Sequence, residues 1–254
     1  MIKARRSKPL VSLVISSTQV STYNLFTAAG SPSGAVDVVL TVNTGVVLEA
    51  GLIGTGFAAG SSIVIINNGR IAGIAGAGSG GVGLNGASGF DTSGVFTSDG
   101  GHAIETNVPT SIDNTSGEIF GGGGGGGAGA ATRQPVGGPY TYRAAGGGGG
   151  GGQGYNNASG GTGGVSAISV FENGGNGTSG SSAAPGTGGT ANAGGGPGGD
   201  GGSWGASGAP GQFASSDASS SFNGGAGGYA VKTNGAGVSW LGGNNSTQVK
   251  GLAS

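Results

Sequence analysis

Two runs of bare glycine, residues 121–127 and 146–152, constrain this chain more than any other feature. Glycine loses more backbone entropy on ordering than any other residue, so an unsupported run is a flexible tether. The flanks argue otherwise. The first run follows TSIDNTSGEIF (110–120), which reads as an ordered strand and turn. A long glycine segment leaving ordered structure can be regular as a polyproline-II helix, with three residues per turn and about 3.1 Å rise per residue. Such a helix has no internal hydrogen bonds. Its N–H and C=O groups must be met by neighbouring chains or by water. Only glycine lets several of them pack backbone against backbone.

The composition fits a protein held by backbone bonds rather than a large core. Of 254 residues, 68 are glycine and 7% are charged, far from ordinary globular usage. Net charge is −1 and 34% of residues are apolar, which also separates the chain from typical disordered sequences. There is no cysteine, so neither disulfides nor thiolate metal sites can form. The near-neutral balance argues against nucleic-acid binding, and no apolar run has the length of a membrane helix. Lys3, Arg5, Arg6 and Lys8 precede LVSLVI (10–15). That order resembles a signal peptide, but the apolar run is short and Pro9 splits the two parts. A basic arm followed by a first strand is the preferred reading.

Only seven glycines fall within residues 1–66. This part reads as strands at 10–15, 36–42, 46–48 and 63–66, separated by the turn signals GSPSG (30–34) and NTG (43–45). No capped, helix-length apolar period occurs. A loose repeat then emerges in IVIINNGRIAG (63–73), SIDNTSGEIF (111–120) and YAVKTNGAGVSWLGG (229–243). Each joins two short strands through an Asn/Gly turn, as coils of a parallel β-helix do. Three unrelated hairpins are the alternative. The expected fold is therefore all-β: a short-stranded region over 1–66, then a glycine-rich bundle of polyglycine II helices and short strands over 67–254. Residues 165–171 read as a further brief strand.

The strand, Asn-x-Gly and glycine-tract motif, seen in INNGRIAG (66–73) and IDNTSGEIFG (112–121) and entered through YNLFTAAGSP (23–32), resembles bacteriophage glycine-rich tail-fibre adhesins and tail-tip proteins. The resemblance spans roughly residues 20–254. It implies a sandwich of polyglycine II helices whose loops contact a receptor, protein or glycan, on the bacterial surface. It also implies location in the virion tail, with other tail or tail-fibre proteins as partners and a possible homo-oligomer. The N-terminal part departs from the fibre-attachment pattern of those proteins.

Chemistry is sparse. His102 is the lone histidine, and nothing beside it singles out a nucleophile for a Ser–His–acid site. Asp91, Asp99, Asp113 and Asp200 lack metal-loop spacing. Glu105 and Glu118 are a conceivable but unsupported pair for glycoside cleavage. The GxGxxG strings have no following helix, so they carry no dinucleotide signal. No catalytic residue, metal or cofactor is expected. The informative residues are aromatics in glycine-rich surroundings: Tyr140, Tyr142, Tyr155, Trp204, Phe213 and Phe222. With Arg143 they suit a binding surface, and Tyr140, Tyr142, Arg143, Tyr155, Trp204 and Phe213 form the expected receptor-binding set. The alternative is that such rings plug the ends of the bundle. A structural virion or matrix protein without a receptor site is the competing function. Ice binding is a third reading, opposed by the irregular segments 130–143 and 200–222.

Overall fold

The computed structural model describes residues 8–85, 89–136, 140–166, 173–192, 194–213 and 222–253; at 85, 89, 133–136 and 140–143 it describes the backbone alone. These residues are essentially all β. The strands are β1 (Leu10–Ile15), β2 (Tyr23–Asn24), β3 (Asp37–Val42), β4 (Val47–Leu48), β5 (Leu52–Gly54), β6 (Ser62–Asn67), β7 (Arg70–Ala72), β8 (Gly83–Asn85), β9 (Gly89–Asp91), β10 (Ile104–Thr106), β11 (Thr110–Asp113), β12 (Glu118–Phe120), β13 (Thr132–Val136), β14 (Tyr140–Ala144), β15 (Val231–Lys232), β16 (Val238–Gly242) and β17 (Val249–Lys250). Among the described residues the one α-helix is α1 (Leu25–Ala28), capped by Asn24 Oδ1, which accepts from Thr27 N–H.

Three sheets carry the order of the fold, and every pairing within them is parallel. Sheet 1 runs β1-β3-β6-β11-β16, sheet 2 runs β4-β7-β12-β17 and sheet 3 runs β2-β5-β10-β15. The chain visits them in the order 1, 2, 3 and then repeats. In the first circuit Gln19 takes the sheet 2 place through its bridge to Leu48. In the last, Ala253 bridges to Val231 of sheet 3. Alternation explains the core. In β3 and β6 every second residue is buried, and Val38, Leu40, Val42, Ile63 and Ile65 meet Leu48, Leu52, Ile71, Ile104, Ile112 and Ile119 between the sheets.

The Asn/Gly turns lie at corners between sheets, for a reason visible in the side chains. Asn67 and Asn114 are both buried where sheet 1 turns into sheet 2. Asn67 Nδ2 donates to Asn114 Oδ1 (2.7 Å), and Asn114 Nδ2 donates to the Gly243 carbonyl (2.9 Å). These amides satisfy corner backbone groups that no ladder reaches. The third repeat falls at a different corner. Asn234-Gly235 joins β15 of sheet 3 to β16 of sheet 1, and there both residues take positive φ, which the Asn67 and Asn114 corners do not.

The glycine-rich sequence leaves this stack twice, each time between sheets 2 and 3. Residues 73–103 separate β7 from β10, and residues 121–230 separate β12 from β15. Within these excursions extended segments bond sideways at intervals of three residues. The N–H groups of Gly73, Gly76, Ser79 and Val82 donate to the carbonyls of Phe120, Gly123, Gly126 and Gly129. Residues 121–131 bond to six other segments: through Gly76, Ser98, Gly150, Gly202, Ala209 and Gly225. Residues 146–152 do the same through Ser79, Gly126, Gly161, Gly175, Gly189 and Gly199. The two bare runs are thus the two interior segments, walled on every side by backbone. A Cβ on Gly122 or Gly125 would stand 1.8 Å from a carbonyl oxygen. Outer segments carry side chains at the positions that face water, such as Ser159 and Thr162.

Candidate functional site

The excursions have two ends, and this sorts the expected binding residues. One end abuts the sheets. Here the segments leave after Ala72 and Phe120, and the chain turns back near Tyr155 and Trp204. Trp204 is only 7% exposed, its ring 5.4 Å from Phe120 and 5.7 Å from half-buried Tyr155. Gln153 Oε1 accepts from the Trp204 N–H (3.1 Å), and the Arg70 guanidinium donates to Tyr155 Oη and to Glu118 while lying over the Phe120 ring. These rings are mortar between the two parts of the molecule.

The other end lies where the outgoing segments finish. The hairpins β8–β9 and β13–β14 stand there, and so do Val165 and Phe213. Segment 205–213 makes a single traverse, so Trp204 and Phe213 occupy opposite ends. Phe213 is 71% exposed and Val165 64%. Beneath them Val82, Leu84, Ala128 and Ala131 form a small cluster with Phe90, Val95 and Phe222. A cavity of about 170 Å³ beside this cluster is lined by Asp91, Ser93, Thr162 and Val165 among others. Hydrogen bonds from the Ser93 hydroxyl and N–H hold the Asp91 carboxyl below its ordinary range, so it is anionic at neutral pH. Tyr140, Tyr142 and Arg143 lie in β14, whose backbone pairs antiparallel with Val136, Gln134 and Arg133. Their side chains lie outside the described residues, as does 167–171 of the expected strand; Ser166 bridges to Leu84. Phe96 (74% exposed, on the bundle flank) was not singled out by sequence, because a lone Phe in VFTSDG carries no pattern.

A second surface is the open edge of sheet 1. Strand β1 is six residues long, carries no charge and, among the described residues, pairs with β3 on one side alone. Pro9 and Ile15 direct their carbonyls to β3, so by the pleat Leu10, Ser12 and Val14 direct N–H and C=O outward. Leu10 and Val14 are exposed. The other edge of sheet 1 is β16, whose register with β11 shifts after Ile112.

The acid and base residues are not brought together. Glu105 accepts from Asn234, whereas Glu118 sits in another sheet and pairs with Arg70. His102 Nδ1 accepts the Tyr229 N–H (3.0 Å), a structural use of the imidazole. No group of three His, Asp or Glu residues that could hold a metal occurs among the described residues.

The family model described as phage tail fibre adhesin Gp38 matches residues 10–251. The chain is similar to a chain in the crystal structure of the gp37–gp38 adhesin tip complex of the bacteriophage S16 long tail fibre. Identity is 25% and the TM-score 0.54, over 97% of this chain and 82% of that one. No curated protein sequence matches the chain.

Proposed function

The chain belongs to the phage tail fibre adhesin Gp38 family, the receptor-binding adhesins of the virion tail fibre, and we propose that its two parts divide the work of attachment. The winding of three parallel sheets is a β-solenoid that seats on the fibre. The bonded glycine segments are polyglycine II helices that carry receptor-binding loops away from it. The three-residue hydrogen-bond period and the parallel register of each sheet support those two assignments. At 3.1 Å per residue, the ten residues 73–82 hold the loops roughly 30 Å from the sheets. The working division then follows the two excursions rather than a boundary near residue 66.

The observation that carries this reading is the topology of the exposed apolar groups. Phe213 and Val165 stand at the far end, exposed, together with the hairpin that holds Tyr140, Tyr142 and Arg143. Tyr155 and Trp204 serve the joint instead. For the fibre side, the uncharged, unprotected β1 edge suits a strand or apolar cap from a fibre protein corresponding to gp37. A bound bacterial receptor needs no chemistry, and the separation of Glu105 from Glu118 favours a non-enzymatic adhesin over a glycan hydrolase.

The test is whole-cell attachment by folded protein. Phe213→Ala combined with Tyr140→Ala and Tyr142→Ala is expected to weaken attachment about 10-fold or more, near 1.4 kcal/mol, with melting unchanged. Equal attachment by the folded triple variant would favour a purely structural role for this end.

A further inference from the structure

A groove of about 520 Å³ lies on the outer face of sheet 2, at the corner where sheet 1 turns into it. It crosses four successive circuits along the corner, from residues 45–47 through 68–70 and 115–118 to Gln248. At the usual strand spacing of about 4.8 Å that is roughly 14 Å of length. Small-molecule sites have volumes of about 300–1,000 Å³.

We infer that this groove is a second binding site, for a neutral oligosaccharide of a few rings, distinct from the receptor-binding loops. Three observations select the ligand class. First, the groove is electrically balanced. Arg70 and Glu118 are bonded to each other within it, so neither an anion nor a cation finds an unpaired opposite charge. Second, it holds unspent hydrogen-bonding groups of both kinds. Glu118 Oε1, the Asn68 side-chain amide and Ser116 Oγ make no hydrogen bond among the described residues. An acceptor, an amide and a hydroxyl along one wall match the hydroxyls of a sugar, which both donate and accept. Third, half-buried Val47 lies beside Arg70 in the same row of the sheet and offers an apolar surface that suits the C–H face of a pyranose.

The site is also preformed. Gln248 Nε2 donates to the carbonyls of Asn114 (2.9 Å), Thr115 (3.0 Å) and Gly117 (3.3 Å), which fixes the corner loop. Arg70 is clamped between Glu118, Tyr155 and the Phe120 face. A rigid wall lowers the ordering cost on binding.

The experiment is saturation-transfer NMR and calorimetry on the full chain, with maltotriose and chitotriose as neutral probes and trigalacturonate as the anionic comparison. At least one neutral trisaccharide is expected to bind with a Kd near 1 mM, and trigalacturonate more weakly. Val47→Arg places a long side chain in the groove, and Ser116→Tyr fills it from the exposed corner loop. Each is expected to weaken neutral-sugar binding about 10-fold with melting unchanged, whereas Phe213→Ala leaves it intact. Absence of transfer from both neutral sugars, tighter binding of trigalacturonate, or undiminished binding by both folded groove variants overturns the proposal. Whole-cell attachment by the loop variants reads the other site, so the two ideas fail separately.

Discussion

A single methyl group placed on the interior glycine run tests the packing most directly. At Gly124 a Cβ would lie 2.1 Å from the Gly225 carbonyl oxygen, 2.6 Å from its carbon and 2.7 Å from the Ala226 oxygen. Ordinary contact begins near 3.4 Å, so Gly124→Ala forces the segments apart by more than 1 Å. The segment holding Gly225 is fixed to the run by Gly225 N–H to Gly125 C=O and Gly228 N–H to Gly122 C=O, both 2.8 Å. Opening that seam loses two bonds worth about 1 kcal/mol each and strands buried groups at about 1–3 kcal/mol apiece. The two lost bonds and at least two stranded groups set a lower limit of about 4 kcal/mol, or roughly 10 °C in Tm for a chain of this size. Gly94→Ala is the control. It has the same chemistry, no positive φ and no atom within 4 Å of the added methyl. Its expected effect is within about 0.5 kcal/mol, with a slight gain from reduced unfolded-state entropy. Thermal and urea unfolding of the two variants side by side gives the answer. Equal stability would refute the claim that the bare runs are bare because backbone surrounds them.

Three further outcomes follow from the same structure. Ser12→Pro removes an outward N–H of β1 without touching its bonds to β3; the protein is expected to fold with normal Tm yet lose co-purification with its fibre partner, and retained assembly would clear the β1 edge of that role. Trp204→Ala empties the joint between the sheets and the glycine segments, with an expected loss of about 3–5 kcal/mol in urea unfolding and accelerated hydrogen exchange at Gly121 and Gly205. For His102, burial and then the Lys232 charge lower the imidazole pKa from 6.5, so the folded state prefers neutral His. That contribution is present above pH 6.5 and is lost as pH falls toward the folded-state value, because protonated Nδ1 can no longer accept the Tyr229 N–H. Wild-type Tm is expected to drop between pH 7 and 5 more steeply than that of His102→Asn, and parallel curves would assign the acid response elsewhere.

Much of the sheet region was legible because its signals are local. LVSLVI became β1 residue for residue, and VDVVLTV and IVII alternate as half-buried strands do. β2 and β5 escaped notice since two or three residues of YN or LIG carry no periodicity; their place comes from parallel neighbours in other circuits. The bare runs announced close backbone approach, but not which contacts it serves. Gly124 meets Gly225 and Gly149 meets Gly126, pairings set by how many traverses lie between them. The same count decides the aromatics. Trp204 and Phe213 stand nine positions apart in similar glycine-rich sequence, yet one traverse puts the first under Phe120 and the second in water.

The position of the excursions separates the order of the sheets from the length of the glycine-rich segments. Both leave and rejoin the stack between sheets 2 and 3, so β12 and β15 flank 110 residues yet keep their registers with β7, β17 and β10. Within the bundle each interior residue spends its polar groups on a neighbour fixed by the three-residue period. A change in a far-end loop alters neither that period nor the corner amides of Asn67 and Asn114. A change of length inside 121–131 shifts every donor past its acceptor. Lengthening at a far-end connection should therefore be tolerated and can retarget binding. Inserting one glycine after Gly124 should collapse the bundle and leave the circuits before β7 intact, which limited proteolysis followed by mass measurement would reveal as a resistant core containing β3 and β6.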